Sequence, residues 1–262
     1  MATPRVQDGR SLQGKVAVVT GANRGIGAAV AQLFAQHGAT VVVNYNRSRE
    51  PAEQVVTDIE TAGGRAIAYQ ADVTDRSQVE RMVQAIVDRW GRLDSLVNNA
   101  RPIPMSFKSY LAMDSQELES RVIAELKAID ACCRSVFPVM KEQGGGRIIN
   151  VSTIAARQTQ AGAAVAAYSV AKAAMEALSR AIAVEFAPYS ITVNIVSPGL
   201  VLTERVRSRR SAEELERLAA GTPLRRLATP EDVAGAVLTF ALEEARFLTG
   251  QYVYVSGGTV MP

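Results

Sequence analysis

Short β-branched runs alternate with longer amphipathic stretches along almost the whole chain. Residues 15–20, KVAVVT, are apolar enough for a buried strand, and the AAVAQLFAQHG that follows carries its apolar residues at helical spacing. The alternation continues. ATVVVNYNRS (39–48) reads as a strand, EPAEQVVTDIETAGG (50–64) as an amphipathic helix, AIAYQADVTD (66–75) as a strand, SQVERMVQAIVDRWG (77–91) as a helix and LDSLVNNA (93–100) as a strand. Further on, helices over 114–140 and 163–186 flank the strand RIINVST (147–153), and the apolar helix 230–242 precedes the strand 251–257. The 114–140 helix opens on Asp114 and Glu117, the spacing of a capping box. Such alternation predicts a parallel, doubly wound sheet with its ligand across the carboxyl ends of the strands.

Size and composition sharpen this to one α/β domain. The chain has 262 residues, 48% hydrophobic and 21% charged, enough for one large core. We expect an N-terminal tail over 1–13 and a domain over 14–262. The net charge of +3 is small and mostly interspersed, which points away from nucleic acid and acidic membranes. Its densest basic patch is Arg205, Arg207, Arg209 and Arg210. Cys132 and Cys133 are adjacent in a helical run and cannot form an ordinary disulfide with each other. The one histidine, His37, precedes Gly38 at a helix C-terminus. Histidine triads and metal sites are therefore excluded. The opening residues lack the apolar core of a signal peptide and no apolar run spans a membrane, so the expected compartment is the cytoplasm.

The first strand leads straight into Gly21-Ala22-Asn23-Arg24-Gly25-Ile26-Gly27 and then a helix. That order gathers backbone N–H groups and a positive helix end at one point, where a dinucleotide pyrophosphate can sit. The second strand selects the dinucleotide. A carboxylate near its end would bind a ribose 2′-hydroxyl, but Val41 to Ser48 contains no acid and does contain Arg47, beside Asn46 and Ser48, with Arg24 as a second cation. NADP(H) is expected over NAD(H).

Tyr168 and Lys172 are four residues apart in a run of strong helix formers, so they point the same way. A cation about 4 Å from a phenol, at an effective dielectric of about 20, favours the phenolate by roughly 4 kcal/mol. The tyrosine thereby becomes a usable proton donor to a carbonyl.

Together these motifs closely resemble the classical short-chain dehydrogenase/reductase family, in particular its 3-oxoacyl-carrier-protein reductases. The resemblance runs from about Gly14 to the end. It includes T-G-x-x-x-G-I-G (Thr20 to Gly27), D-V (Asp72-Val73), N-N-A (Asn98 to Ala100), Y-x-x-x-K (Tyr168 to Lys172), P-G (Pro198-Gly199, with Val201 and Thr203 following) and T-G-Q…G-G (Thr249 to Gly258). It implies a Rossmann-type domain in which Tyr168 donates a proton and Lys172 tunes it and holds the nicotinamide ribose. Asp72 and Val73 contact the adenine, Asn99 and Ala100 line the adenosine ribose, and Pro198 to Thr203 cradle the nicotinamide and pyrophosphate. Residues 200–225 form a substrate lid. Residues 230–262 mediate subunit contact in a homotetramer or homodimer.

Three positions depart from the family pattern. Arg101 replaces the glycine after N-N-A, where it either binds a substrate anion or points into solvent. Glu125 replaces an asparagine that holds a relay water; it either competes for the Lys172 ammonium, passes protons through a water or faces outward. The catalytic serine is replaced by Thr153, with Ser152 in reserve, and the loop from there to Tyr168 is about two residues long for the family. The reading that follows is an NADPH-dependent reductase of a small-molecule or carrier-bound ketone. Its alternatives are a non-redox dehydratase, isomerase or cyclase on the same fold, or a silent NADPH-binding subunit.

Overall fold

A computed structural model describes residues 11–158 and 165–261. Seven parallel strands, β1 (Val16–Val19), β2 (Thr40–Tyr45), β3 (Arg65–Gln70), β4 (Ser95–Asn98), β5 (Gly146–Val151), β6 (Ile191–Pro198) and β7 (Tyr252–Val255), form one sheet in the order β3-β2-β1-β4-β5-β6-β7. The helices are α1 (Gly25–Gln36), α2 (Arg49–Thr61), α3 (Arg76–Trp90), α4 (Ser115–Glu142), α5 (Ala166–Phe186), α6 (Glu204–Arg207), α7 (Ala212–Ala220) and α8 (Pro230–Ala241). This is the expected doubly wound α/β architecture.

Strand periodicity divides the core in two. Ala17, Val19, Val41 and Val43 pack under α1, α2 and α8, whereas Val16, Val18 and Val42 pack under α3, α4 and α5. With both faces covered, β6 is buried at every position, including Thr192 and Asn194, so its polar residues face the interior and not solvent. The strand order reverses between β1 and β4, which opens a crevice at their carboxyl ends.

Local chemistry moves several boundaries. β3 stops at Gln70 because the Asp72 carboxylate accepts from Thr74 N and Thr74 Oγ1, at 2.9 and 2.7 Å, and turns the chain. β2 stops at Tyr45, leaving Asn46, Arg47 and Ser48 in the turn before α2. The capping box expected on α4 does not form. Asp114 caps Gln116 N, but Glu117 turns to Lys108 Nζ at 2.8 Å, an ion pair the short-range pattern could not reveal. α8 carries a full capping box, from Thr229 and Asp232. His37 caps α1 and its Nδ1 meets Ser11 Oγ at 2.9 Å. Leu12, placed in the tail by the sequence, is buried in the core, while residues 1–10 of that tail lie outside the described residues. Part of the long loop before Tyr168, residues 159–164, does too.

Among the described residues, no helix is long and apolar enough to cross a membrane, and no group of three or more His, Cys, Asp or Glu side chains is placed to hold a metal. Cys132 and Cys133 are buried, and burial pushes the Cys133 thiol up to about 12 and that of Cys132 higher still.

Candidate active site

The glycine turn and the end of β4 interlock. Gly21 has φ +60°, and a side chain there would place its Cβ 2.8 Å from Ala100 Cα. A Cβ on Gly27 would meet Asn99 Nδ2 at 2.5 Å and Gly21 O at 2.6 Å. Thr20 Oγ1 accepts from Asn99 N and Ala100 N at 2.9 and 3.0 Å, and Asn99 Nδ2 donates back to Thr20 O and Gly21 O at 2.9 and 3.1 Å. The Asn99 side chain is thus spent on holding the turn, while Ala100 presents its backbone. Asn44 adds a brace from β2, donating to Ala71 O at 3.1 Å while its own carbonyl accepts from Ala22 N.

Arg24 occupies the N-cap of α1 without a capping side-chain bond, and the first turn contains no acid. The N–H groups at Gly25, Ile26 and Gly27 keep their donors at the positive helix end. Asn23 is half-buried beside them. Opposite, Thr203 Cγ2 would lie 3.4 Å from a Gly25 Cβ. A crowded glycine surface with outward N–H donors fits a dinucleotide pyrophosphate. A cavity of about 400 Å³ opens beside this turn, lined in part by Gly25, Gln32, Thr203, Arg207 and Glu231.

At the adenosine end, Asn46 Nδ2 donates to Asp72 Oδ2 at 2.9 Å. Burial works against ionisation of Asp72, but hydrogen bonds from Thr74 and Asn46 outweigh it and hold the carboxyl below its usual range. The Val73 side chain is buried in the core. Arg47 is exposed, and Ser48 N-caps α2 without a side-chain bond.

The candidate catalytic residues of the sequence come together from α4, β5 and α5. Lys172 Nζ donates to Glu125 Oε1 at 2.7 Å and to Val151 O at 2.8 Å, with both charged side chains about 5% exposed (5% and 6%). Burial disfavours the ammonium, but the charges of Glu125 and Tyr168 more than compensate and hold Lys172 above its ordinary value; Arg101 acts weakly the other way. Glu125 is therefore neither outward nor distant; it is the lysine's partner. Tyr168 lies one turn before Lys172, half-buried, and makes no side-chain hydrogen bond among the described residues.

The two candidate hydroxyls at the end of β5 part company. Ser152 Oγ is buried and donates to Glu176 Oε1 at 2.5 Å. Glu176 in turn accepts from Arg157 Nε at 3.0 Å, and the Arg157 guanidinium stacks 3.6 Å over the Tyr252 ring, whose hydroxyl reaches Ser197 Oγ. Thr153 is half-buried, accepts from Ala155 N at 3.3 Å and donates nothing among the described residues, so its proton remains available. Glu176 and Arg157 escaped the sequence reading, although Glu176 falls one turn after Lys172 on a largely apolar helix face, which is a usable signal.

β6 ends at Pro198, and Gly199 N bonds to Val255 O. Val201 pairs with Ala228, and Leu202 N donates to Ala228 O at 2.7 Å, so the two ends of the intervening segment are joined. Neither α6 nor α7, which lie within it, has a buried residue.

A family model described as enoyl-(acyl carrier protein) reductase matches residues 21–260. An oxidoreductase of Methylorubrum extorquens named as uncharacterised is 42% identical over 251 residues, covering 94% of this chain and 98% of that one. The 3-oxoacyl-[acyl-carrier-protein] reductase of a Synechocystis strain is 36% identical over 252 residues, covering 96% and 99%. Among solved structures, a 7α-hydroxysteroid dehydrogenase complexed with NADH and 7-oxo glycochenodeoxycholic acid is similar with a TM-score of 0.89 at 32% identity over 98% of both chains. A Burkholderia xenovorans chain described as a short-chain dehydrogenase/reductase gives 0.87 at 37%, covering 95% and 97%. Sequence, sheet order and glycine turn agree: the chain belongs to the short-chain dehydrogenase/reductase family of oxidoreductases, enzymes that work with a nicotinamide cofactor.

Proposed function

We propose that this enzyme reduces a ketone to a secondary alcohol with NADPH. The observation that carries the reading is the Tyr168–Lys172 pair on α5, with Lys172 bonded to Val151 O two residues before the uncommitted Thr153 hydroxyl. A bound nicotinamide supplies the hydride in reduction and accepts it in the reverse direction. Thr153 donates a hydrogen bond to the substrate carbonyl oxygen, and Tyr168 passes its proton to the same oxygen. Lys172, fixed by Glu125 and Val151 O, places its positive end below the phenol and holds the nicotinamide ribose. Ser152, tied to Glu176, orients the strand end instead of the substrate.

The turn from Gly21 to Gly27 would hold the pyrophosphate, Asp72 and Val73 the adenine, Ala100 the adenosine ribose, and Pro198, Gly199, Val201 and Thr203 the nicotinamide side. Arg47, Asn46, Ser48 and Arg24 would take the 2′-phosphate. We assign the lid to residues 200–225. The 3-oxoacyl-[acyl-carrier-protein] reductases among the relatives support a β-ketoacyl thioester or a related ketone as substrate. Assembly of two or four copies, in a cytoplasmic setting, completes the reading. Phe247, 98% exposed, lies with Leu248 beside the edge strand β7 and supplies apolar surface for it.

The test is NADPH consumption with a panel of β-ketoacyl thioesters and simple ketones, with product masses determined. A gain of two hydrogens is expected. Loss of water or an unchanged mass would instead favour a non-redox enzyme, the one alternative that the Glu125–Lys172 pair supports. Cofactor choice is tested separately by Arg47→Ala, which should weaken NADPH relative to NADH by about tenfold, the worth of one exposed charge-assisted phosphate contact. An unchanged ratio in fluorescence titrations would remove Arg47 from the cofactor site.

A further inference from the structure

Arg101, Arg205, Arg209 and Arg24 come from three separate segments. Arg24 lies in the glycine turn, Arg101 directly follows Ala100, which packs on Gly21, and Arg205 lies on α6 two residues after Thr203, which packs on Gly25. Arg101, Arg209 and Arg24 are all close enough to be felt at Arg205. Arg205 is held below its ordinary value first by burial and then by Arg101, Arg209 and Arg24. Among the described residues, none of the four has a carboxylate within ion-pair distance or donates a side-chain hydrogen bond. Arg210, by contrast, is paired with Glu214.

The loop that carries Arg101 is anchored. Arg121, buried on α4, donates to Ile103 O at 3.2 Å and to Pro104 O at 2.5 Å, and Pro102 and Pro104 limit the backbone between. Arg101 is thus fixed on both sides, at Ala100 and at Ile103. Its charge reaches Lys172, so it faces not only the glycine turn but also the Tyr168–Lys172 end. There the Lys172 charge is already balanced by Glu125, so Arg101 and Arg205 leave uncompensated positive charge facing the substrate.

We propose that Arg101 and Arg205 form a subsite for an anionic group on the substrate, a carboxylate or a phosphate, several bonds from the ketone that Tyr168 protonates. This inference rests on the reductase reading and names its substrate class. Arg24, at the helix start, is left to the cofactor. A guanidinium pair binding one anion, with Arg205 half-buried and Arg101 exposed, accounts for a preference of about tenfold over a neutral isostere. Because the subsite is partly open, the preference should shrink with added salt.

The experiment compares matched ketones under saturating NADPH: a keto acid against its methyl ester, and a β-ketoacyl pantetheine thioester with and without its terminal phosphate. The wild-type enzyme should prefer the charged member of at least one pair by tenfold or more in kcat/KM, and the responding pair identifies carboxylate or phosphate. Arg101→Met and Arg205→Met should each cut that charged-to-neutral ratio about tenfold, mainly through KM. Equal turnover of charged and neutral members overturns the subsite and leaves the reductase standing. A fall in NADPH affinity in Arg101→Met without a change in the ratio also overturns it, by assigning the arginines to the cofactor. If no ketone is reduced, calorimetric binding of the keto acid and of the phosphorylated thioester to the NADPH-loaded protein decides separately. Binding lost in Arg101→Met retains the subsite and rejects the reductase, and no binding rejects both.

Discussion

Tyr168→Phe is expected to lower kcat about a thousandfold while NADPH still binds. A positioned general acid contributes roughly 10²–10⁴ to a carbonyl reduction, and in the proposed mechanism the phenol delivers the proton. The Tyr168 hydroxyl has no protein partner among the described residues, so phenylalanine orphans nothing and the melting temperature should hold. Absorbance decay of NADPH with the best ketone, beside a fluorescence titration of the same preparation, checks both halves. A variant that keeps more than a tenth of wild-type turnover would remove Tyr168 from the proton transfer.

Lys172→Met should cost about 3–5 kcal/mol of stability, a penalty beyond that of an ordinary core lysine. It removes the cation from a pair buried on both sides and leaves the buried Glu125 carboxylate without its partner. For a domain of this size that corresponds to a melting temperature lower by about 10 °C. Lys172→Met combined with Glu125→Leu should regain most of the loss and remain inactive, a pattern that separates burial of charge from chemistry. The pH dependence has a fixed sign. Lys172 is held above its ordinary 10.5, so the stability contributed by the pair is complete below about that pH and is lost only as pH rises through the raised value. Thermal melts between pH 6 and 9 should therefore show the same gap between wild type and the Lys172→Met, Glu125→Leu double variant, which strands no buried carboxylate. Glu125→Gln keeps a hydrogen bond to the ammonium but frees its charge, which should move the alkaline limb of the reduction profile to lower pH.

What the sequence displayed was local chemistry. β1, the glycine turn and α1 follow one another within about twenty residues, and the Tyr168–Lys172 pair is one helical turn, so periodicity and propensity suffice for them. The partners of those groups come from far along the chain. Ser152 and Glu176 are 24 residues apart, Lys172 and Glu125 are 47, and Asn99 and Thr20 are 79. Only the folded sheet shows that Ser152 is committed to Glu176, leaving Thr153 with a free proton, or that Glu125 faces inward. Glu117 illustrates the same limit in reverse: its spacing to Asp114 was right for a box, but Lys108 supplied a stronger partner.

The joint between Val201 and Ala228 has an evolutionary consequence. Because the segment between them begins and ends at one pinned point, its length is nearly decoupled from the sheet: doubling such a loop costs only about 0.6 kcal/mol in closure entropy. Insertions, deletions and wholesale exchange there leave the registers of β6 and β7 untouched. Beyond Thr203, which packs on the glycine turn, and short of Leu224, whose N–H bonds to Gly257 O, the segment is in effect a replaceable cassette, in which descendants of this enzyme can try new substrates while the cofactor half of the molecule stays as it is.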